Sequence, residues 1–102
     1  MKDLIEALTI MLQYAEKDDD VEYPFQCEHD TLFVWGVKIS SIPFNDIKKL
    51  IELGFLPGMD DEFYIFSNIN SDFDFDEMTE AEWNKAKDEI SECFHSFKYG
   101  SC

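Results

Sequence analysis

The excess of negative charge is the feature that most restricts what this chain can fold into. Its 102 residues carry 23 Asp and Glu side chains against eight basic ones, all lysine, for a formal net charge of −15. Carboxylates at this density repel one another, so a compact fold has to keep them at its surface. The charge also argues against direct nucleic-acid binding, which needs Lys or Arg, and favours a cation or a basic protein surface as partner.

The apolar content predicts a folded domain in spite of this charge. The chain is 45% hydrophobic and 16% aromatic, too apolar for a disordered acidic tail, and its length suits a single domain over residues 1–102. No apolar run reaches the roughly 18 residues of a membrane span, and Asp3 and Glu6 do not fit a signal peptide, so we expect a cytoplasmic protein without membrane contact. Three cysteines, an odd number, favour free thiols or metal ligands over a disulfide framework.

Apolar spacing and capping signals predict three helices. Leu4, Leu8 and Met11 recur at helical spacing within a helix over residues 3–16. A second helix covers residues 44–51 and ends before Gly54 at the C′ position. A third begins at the capping box of Thr79 and Glu82, with Met78 and Trp83 at the hydrophobic-staple positions.

Strand signals alternate with these helices. Residues 31–37 are β-branched and aromatic, residues 62–67 resemble a second buried strand, and residues 93–99 alternate as a last one. Residues 21–25 also look extended. The order predicts an α+β fold: a mixed or antiparallel sheet of three to five strands with about three helices packed on it. The expected aromatic core is Trp35, Phe44, Phe55, Phe63, Phe66, Phe94 and Phe97.

Acidic and aromatic residues alternate between Asn68 and Asp76. This pattern fits either a strand with one acidic face or a solvated loop held by Phe73 and Phe75. The aspartates resemble the start of a calcium loop, but Glu77 and Trp83 stand where an EF-hand requires Gly and Glu, which leaves at most weak divalent-ion binding.

Two Cys-x-His pairs form the clearest candidate for metal binding. Cys27 and His29 make one pair, and Cys93 and His95 the other. Residues two apart in a strand face the same side, so adjacent strands would present a Cys₂His₂ zinc set. The alternative is that the cysteines are small core residues and the histidines are polar surface groups.

Catalytic motifs are missing from the sequence. It contains no G-x-S-x-G, P-loop, G-x-G-x-x-G or H-E-x-x-H pattern, and neither Cys-His pair has the surroundings of a known cysteine hydrolase. We therefore expect a protein that is not an enzyme and needs no cofactor, zinc being the alternative.

Three sequence patches resemble small proteins of bacteriophages and mobile elements. They are residues 27–32 (CEHDTL), 51–55 (IELGF) and 96–102 (SFKYGSC), the last with Lys98 where arginine is usual. The group has no assigned chemistry, so the resemblance implies no functional residues. It implies a context of phage accessory genes, in which short acidic proteins frequently block host defence enzymes.

Charge and resemblance together predict an acidic interaction protein. It would bind the basic surface of a host defence or nucleic-acid-handling protein, as anti-CRISPR-like and other anti-defence proteins do, and rows of carboxylates could mimic the charge of DNA. The alternatives are that the charge only keeps an aromatic domain soluble, or that the protein is a small zinc-binding module. The candidate contact residues are Asp72, Asp74, Asp76, Glu80 and Asp88, with Phe73 or Phe75 as an aromatic anchor.

Overall fold

The computed structural model describes residues 2–14, 25–28 and 31–98, and confirms an α+β fold. Four α-helices and four strands lie in this part of the chain. In chain order they are α1 (Lys2–Leu12), β1 (Phe25–Glu28), β2 (Thr31–Trp35), α2 (Phe44–Glu52), β3 (Leu56–Pro57), α3 (Phe63–Ile69), α4 (Glu80–Ala86) and β4 (Cys93–Ser96). Short 3₁₀ turns cover Ile39–Ser41, Asp60–Glu62 and Phe75–Glu77.

The sheet is antiparallel throughout, with the strand order β1-β2-β4-β3. The last strand in sequence therefore lies inside the sheet, between β2 and the two-residue β3. His95 of β4 is opposite Phe33 of β2 on one side and Leu56 of β3 on the other. This position places the Cys93–Ser96 segment among neighbours on both sides, and all four of its residues are buried.

One hydrophobic core joins the helices to the sheet. Trp83 is fully buried, and its indole Nε1 donates a hydrogen bond of 2.9 Å to the carbonyl of Ile42. A buried indole N–H needs such an acceptor, so Trp83 ties α4 to the segment that precedes α2. The same core includes Ala7 and Met11 of α1, Val34 of β2, Ile47 and Leu50 of α2, Ile65 and Phe66 of α3, and Phe94 of β4.

The predicted end of α2 is confirmed in detail. Gly54 has a φ of 98°, a conformation that favours glycine, and its N–H donates to the carbonyl of Ile51. The N–H of Phe55 donates to the carbonyl of Leu50 at 2.9 Å. This pair of bonds is the Schellman motif, which satisfies the last carbonyls of the helix and turns the chain into β3.

The prediction for α4 is also confirmed. The Thr79 hydroxyl accepts from the N–H of Glu82 at 3.2 Å, and the Glu82 carboxylate accepts from the N–H of Thr79 at 2.9 Å. These backbone and side-chain hydrogen bonds stabilise the charged form of Glu82 and lower its pKa. The staple residues Met78 and Trp83 are both buried. Local side-chain chemistry therefore fixes the start of this helix.

The prediction of a strand over residues 62–67 is wrong, because this segment forms α3. Ile65 and Phe66 are buried and Ile69 is partly buried, which is helical spacing, whereas Tyr64 is exposed. A short apolar and aromatic run does not by itself distinguish a buried strand from a helix. The correction raises the number of helices from about three to four in the described residues.

Two smaller expectations also need correction. Helix α1 ends at Leu12, and Gln13 and Tyr14 form a turn, while residues 15 and 16 of the predicted helix lie outside the described residues. In the predicted aromatic core, Phe55, Phe66 and Phe94 are buried and Trp35 and Phe44 partly so, but Phe63 and Phe97 are exposed by 43% and 59%.

Within the described ranges, no helix has the length and apolar character needed to cross a bilayer.

Candidate interaction surface

The segment between α3 and α4 is a loop held by two aromatic side chains. Phe73 is buried and stacks on Phe66 of α3 with ring centroids 4.6 Å apart. Phe75 is partly buried and meets Phe66 edge to face at 5.0 Å. The loop alternative is therefore the correct one of the two that the sequence allowed. Both rings are used within the fold, so neither Phe73 nor Phe75 projects freely towards a partner.

The same packing turns outwards the aspartates that alternate with these two phenylalanines. Asp72, Asp74 and Asp76 are all exposed. The Asp74 carboxylate accepts from the N–H of Asp76 at 3.0 Å, and the side-chain oxygen of Asn70 accepts from the N–H of Asp72 at 3.1 Å. These bonds hold the loop backbone, as side-chain caps of turns do. We call the exposed carboxylates of this region the acidic segment: Asp72, Asp74, Asp76, Glu77 and Glu80.

The acidic segment belongs to a longer stretch without basic residues. Residues 50–84 contain ten Asp and Glu side chains and no Lys, Arg or His. Two lysines pair with acids of α1: Lys49 Nζ lies 3.6 Å from Glu6 and Lys98 Nζ lies 3.2 Å from Asp3. A third, Lys48 of α2, reaches the acidic segment, where its Nζ donates to the backbone carbonyl of Asp76 at 2.8 Å. This stretch of acids without a basic residue is visible in the sequence, and it predicts the position of the acidic surface better than the total charge does.

Some acids of this stretch have structural tasks. The Glu62 carboxylate accepts from the N–H of Met59 at 2.9 Å and of Ser91 at 3.1 Å, joining the turn before α3 to the segment before β4. Glu82 is engaged in the capping box and accepts from the side chain of Asn70 at 3.1 Å. Both side chains are partly buried.

The predicted contact residues divide into two groups. Asp72, Asp74, Asp76 and Glu80 lie together between the end of α3 and the start of α4. Asp88 is exposed but follows the C-terminal end of α4, and a seven-residue helix is about 10 Å long. The structure therefore separates Asp88 from the other four predicted contacts.

An aromatic pocket opens at the edge of the sheet, between β3, β4 and α3. It has a volume of about 280 Å³. The buried residues Phe66 and His95 line it together with the partly buried Phe75 and the exposed Phe63, Phe97 and Asp60. Phe63 and Phe97, which the sequence analysis placed in the core, are exposed because they form walls of this pocket. We use the term aromatic pocket for this site, whose lining the apolar residues Leu56, Pro57 and Met59 complete.

His95 is positioned by the backbone of the turn after β3. Its Nδ1 lies 2.7 Å from the carbonyl oxygen of Gly58, so Nδ1 carries the proton and donates this bond. Gly58 has a φ of 77°, and a Cβ at this position would lie 3.2 Å from the Glu62 carboxylate and from Ile90. A glycine is therefore required where the chain turns beside His95.

The strand register separates the cysteines of the predicted zinc set. Cys27 is opposite Leu32, which is opposite Ser96, whereas Cys93 is opposite Trp35. Ser96 and Cys93 are three positions apart on β4, and successive residues of a strand face alternate sides of the sheet. Cys93 therefore faces the side opposite to Ser96, the residue in register with Cys27 through Leu32. His29 lies outside the described residues, and the complete four-residue set therefore stays a prediction. In the described parts of the chain, no three His, Cys, Asp or Glu side chains are grouped to hold a metal ion.

The environment of Cys93 opposes thiolate chemistry. Its side chain is fully buried, and burial, together with the negative charges of Glu62 and Asp61, raises the pKa of the thiol to about 12. Nucleophilic attack requires the thiolate. Cys93 is therefore a packing residue of β4 at neutral pH.

We expect Cys93 to be inert in the folded protein. With a pKa of about 12, its thiolate fraction near pH 8 is on the order of one in ten thousand, far below that of a free cysteine. The measurement is labelling with Ellman's reagent in a Cys27→Ser/Cys102→Ser variant, which retains Cys93 alone. Labelling should be at least about a hundredfold slower than in the same protein unfolded in urea. Rapid labelling of the folded variant would contradict the assigned environment.

No family model, curated protein or solved structure matches the chain.

Proposed function

We propose that this protein is a non-enzymatic interaction protein that binds a basic surface of another protein through the acidic segment. The observation that carries the proposal is the exposure of Asp72, Asp74, Asp76, Glu77 and Glu80 on one stretch of chain, where Lys48 brings one positive charge against five negative ones. Charge held at one place attracts and orients a cationic partner, whereas scattered charge only improves solubility.

The internal packing of the loop supports a binding role. Phe73 and Phe75 anchor the loop to α3, and the Asp74 and Asn70 side chains fix its backbone. A loop held in this way presents its carboxylates in a defined arrangement, which reduces the conformational entropy lost on binding. Solubility alone would not need such an arrangement.

The proposed partner is a nucleic-acid-handling or defence protein in the cytoplasm of a bacterial host. Such proteins carry basic channels that bind phosphates, and carboxylates spaced along a rigid segment compete for the same lysines and arginines. The resemblance of three sequence patches to small phage proteins supplies this context. Inhibition would follow from occupying the channel, by charge and by steric exclusion.

The test compares two variants that remove the same charge from different places. The patch variant is Asp72→Asn/Asp76→Asn/Glu80→Gln, which retains the Asp74 cap. The control variant is Glu52→Gln/Asp88→Asn/Glu89→Gln, whose three exposed acids lie outside the acidic segment. Both proteins and the wild type are immobilised and exposed to a bacterial lysate at low and at high salt, and each retained protein is then purified for DNA-binding competition.

We expect the wild type and the control variant to retain the same host protein at low salt and to release it at high salt. The patch variant should bind that protein about tenfold more weakly and with a flatter salt dependence, because fewer ion contacts are lost on screening. The wild type should also compete with DNA for the purified partner. Equal binding by the patch variant and the wild type would refute the proposed function.

A further inference from the structure

We propose that the aromatic pocket receives an arginine side chain of the basic partner. The inference rests on the proposed function. It assigns the protein's specificity for its partner to a second site, next to the acidic segment. The geometry of the pocket does not depend on the carboxylates of the acidic segment, since its lining consists of aromatic rings, the His95 imidazole, apolar side chains and Asp60.

The size of the pocket suits one side chain. Its volume of about 280 Å³ lies just below the range of about 300–1,000 Å³ that accommodates most small-molecule ligands and cofactors. In protein interfaces the residues that contribute most of the binding energy fill pockets of the partner, and arginine, tryptophan and tyrosine are the most frequent among them.

The rings around the pocket are not parallel to one another. Phe63 and Phe75 have centroids 5.8 Å apart and planes at 57°, and the His95 and Phe97 rings are 5.4 Å apart at 76°. Rings at such angles present their faces in several directions, as required for enclosing a cation. The exposed Phe63 and Phe97 leave the pocket open to an incoming side chain.

The charge around the pocket selects a cation over an apolar group. Asp60 lines the pocket and is exposed, and Asp61 is the next residue. Phe75 also lines the pocket, and its two neighbours in sequence, Asp74 and Asp76, belong to the acidic segment. A guanidinium group combines the required properties: it stacks on aromatic faces, it donates to a carboxylate, and it is hydrated more weakly than an ammonium. The apolar stem of the same side chain would pack against the rings.

The test uses three short peptides with identical lysine-rich flanks. They differ only at the central residue, which is arginine, lysine or leucine. Arginine and lysine give peptides of equal charge, so a difference between them reports the pocket and not the overall field. Isothermal titration calorimetry with the full-length wild-type protein should show the arginine peptide binding about three- to tenfold more tightly than the other two.

Variants of the exposed pocket walls connect this preference to the site. Phe63→Ala and Phe97→Ala should lower the affinity for the arginine peptide to that for the lysine peptide. Tyr64→Ala is the matched control, because Tyr64 is an exposed aromatic residue adjacent to Phe63 but outside the pocket, and its affinities should be unchanged. Far-UV circular dichroism establishes that each variant is folded before it is titrated.

Failure of this inference and failure of the proposed function give different results. If the peptides bind in a salt-sensitive manner but arginine has no advantage, or leucine binds most tightly, the pocket assignment is overturned and the proposed function stands. The assignment is equally overturned if Phe63→Ala and Phe97→Ala retain the arginine preference. If the patch variant Asp72→Asn/Asp76→Asn/Glu80→Gln binds all three peptides as tightly as the wild type, the proposed function fails instead.

Discussion

Replacing Trp83 by alanine should cause a larger loss of stability than truncating any of the core phenylalanines. Trp83 is the largest of the fully buried side chains, so its loss leaves a large cavity, which costs about 3–5 kcal/mol for aromatic residues. The variant also leaves the buried carbonyl of Ile42 without its indole donor, at a further cost of about 1–3 kcal/mol. A domain of this size has a total stability of about 5–15 kcal/mol, so Trp83→Ala should remove a large fraction of its free energy of unfolding.

The measurement is urea denaturation followed by circular dichroism, which gives the free energy of unfolding for each variant. Trp83→Phe is the informative companion, because it keeps most of the apolar volume and removes the indole donor. It should cost less than Trp83→Ala. A change of under about 1 kcal/mol for Trp83→Ala would mean that α4 is not packed on the core as described.

Phe66→Ala should give the second-largest loss of stability, and its comparison with Tyr64→Ala tests the helical assignment of α3. Phe66 is buried and its ring contacts Phe73 and Phe75, so truncation should cost about 3–5 kcal/mol. Tyr64 is 60% exposed, and its truncation should change the free energy of unfolding by no more than about 0.5 kcal/mol.

A strand over the same residues predicts a different outcome. Side chains two positions apart lie on one face of a strand, so Tyr64 and Phe66 would be buried together and both substitutions would be costly. In a helix they lie on different faces, and only Phe66 reaches the core. Similar losses for the two variants, measured by urea denaturation, would therefore argue against α3 and for a strand.

Elements with strong local signals could be predicted from the sequence. The start of α4 follows from Thr79 and Glu82, whose side chains bond to backbone N–H groups three residues away. The end of α2 follows from Gly54, because a left-handed residue is needed there and glycine adopts it without steric cost. In both cases the interacting groups are close in sequence.

Residues 62–67 show where this reasoning stops. Their aromatic and β-branched content favours a strand, but the rings of Phe73 and Phe75, which pack on Phe66, stabilise a helix instead. This contact joins two segments that the sequence pattern treats separately. Tertiary packing therefore overrides the weak local preference.

The candidate sites divide in the same way. The carboxylates of the acidic segment could be named from the sequence, because charged side chains have to remain in water. That Lys48 of α2 reaches the backbone of Asp76 could not, since this contact joins segments distant in the chain. The pocket could not be predicted, because Asp60, Phe63, Phe75, His95 and Phe97 come from separate elements. The predicted zinc set depended on strand pairing. The register aligns Cys27 with Ser96 of β4, three positions from Cys93.

The sequence by itself determined an acidic α+β domain, the end of α2, the start of α4 and the stretch where negative charge accumulates. These properties depend on hydration and on hydrogen bonds between residues a few positions apart. Only the tertiary structure decided that Phe73 packs inside, that Phe63 and Phe97 stay exposed around a pocket, and that β4 lies between β2 and β3. Each of these results comes from contacts between segments distant in the chain, and their free energies depend on how the whole core is filled.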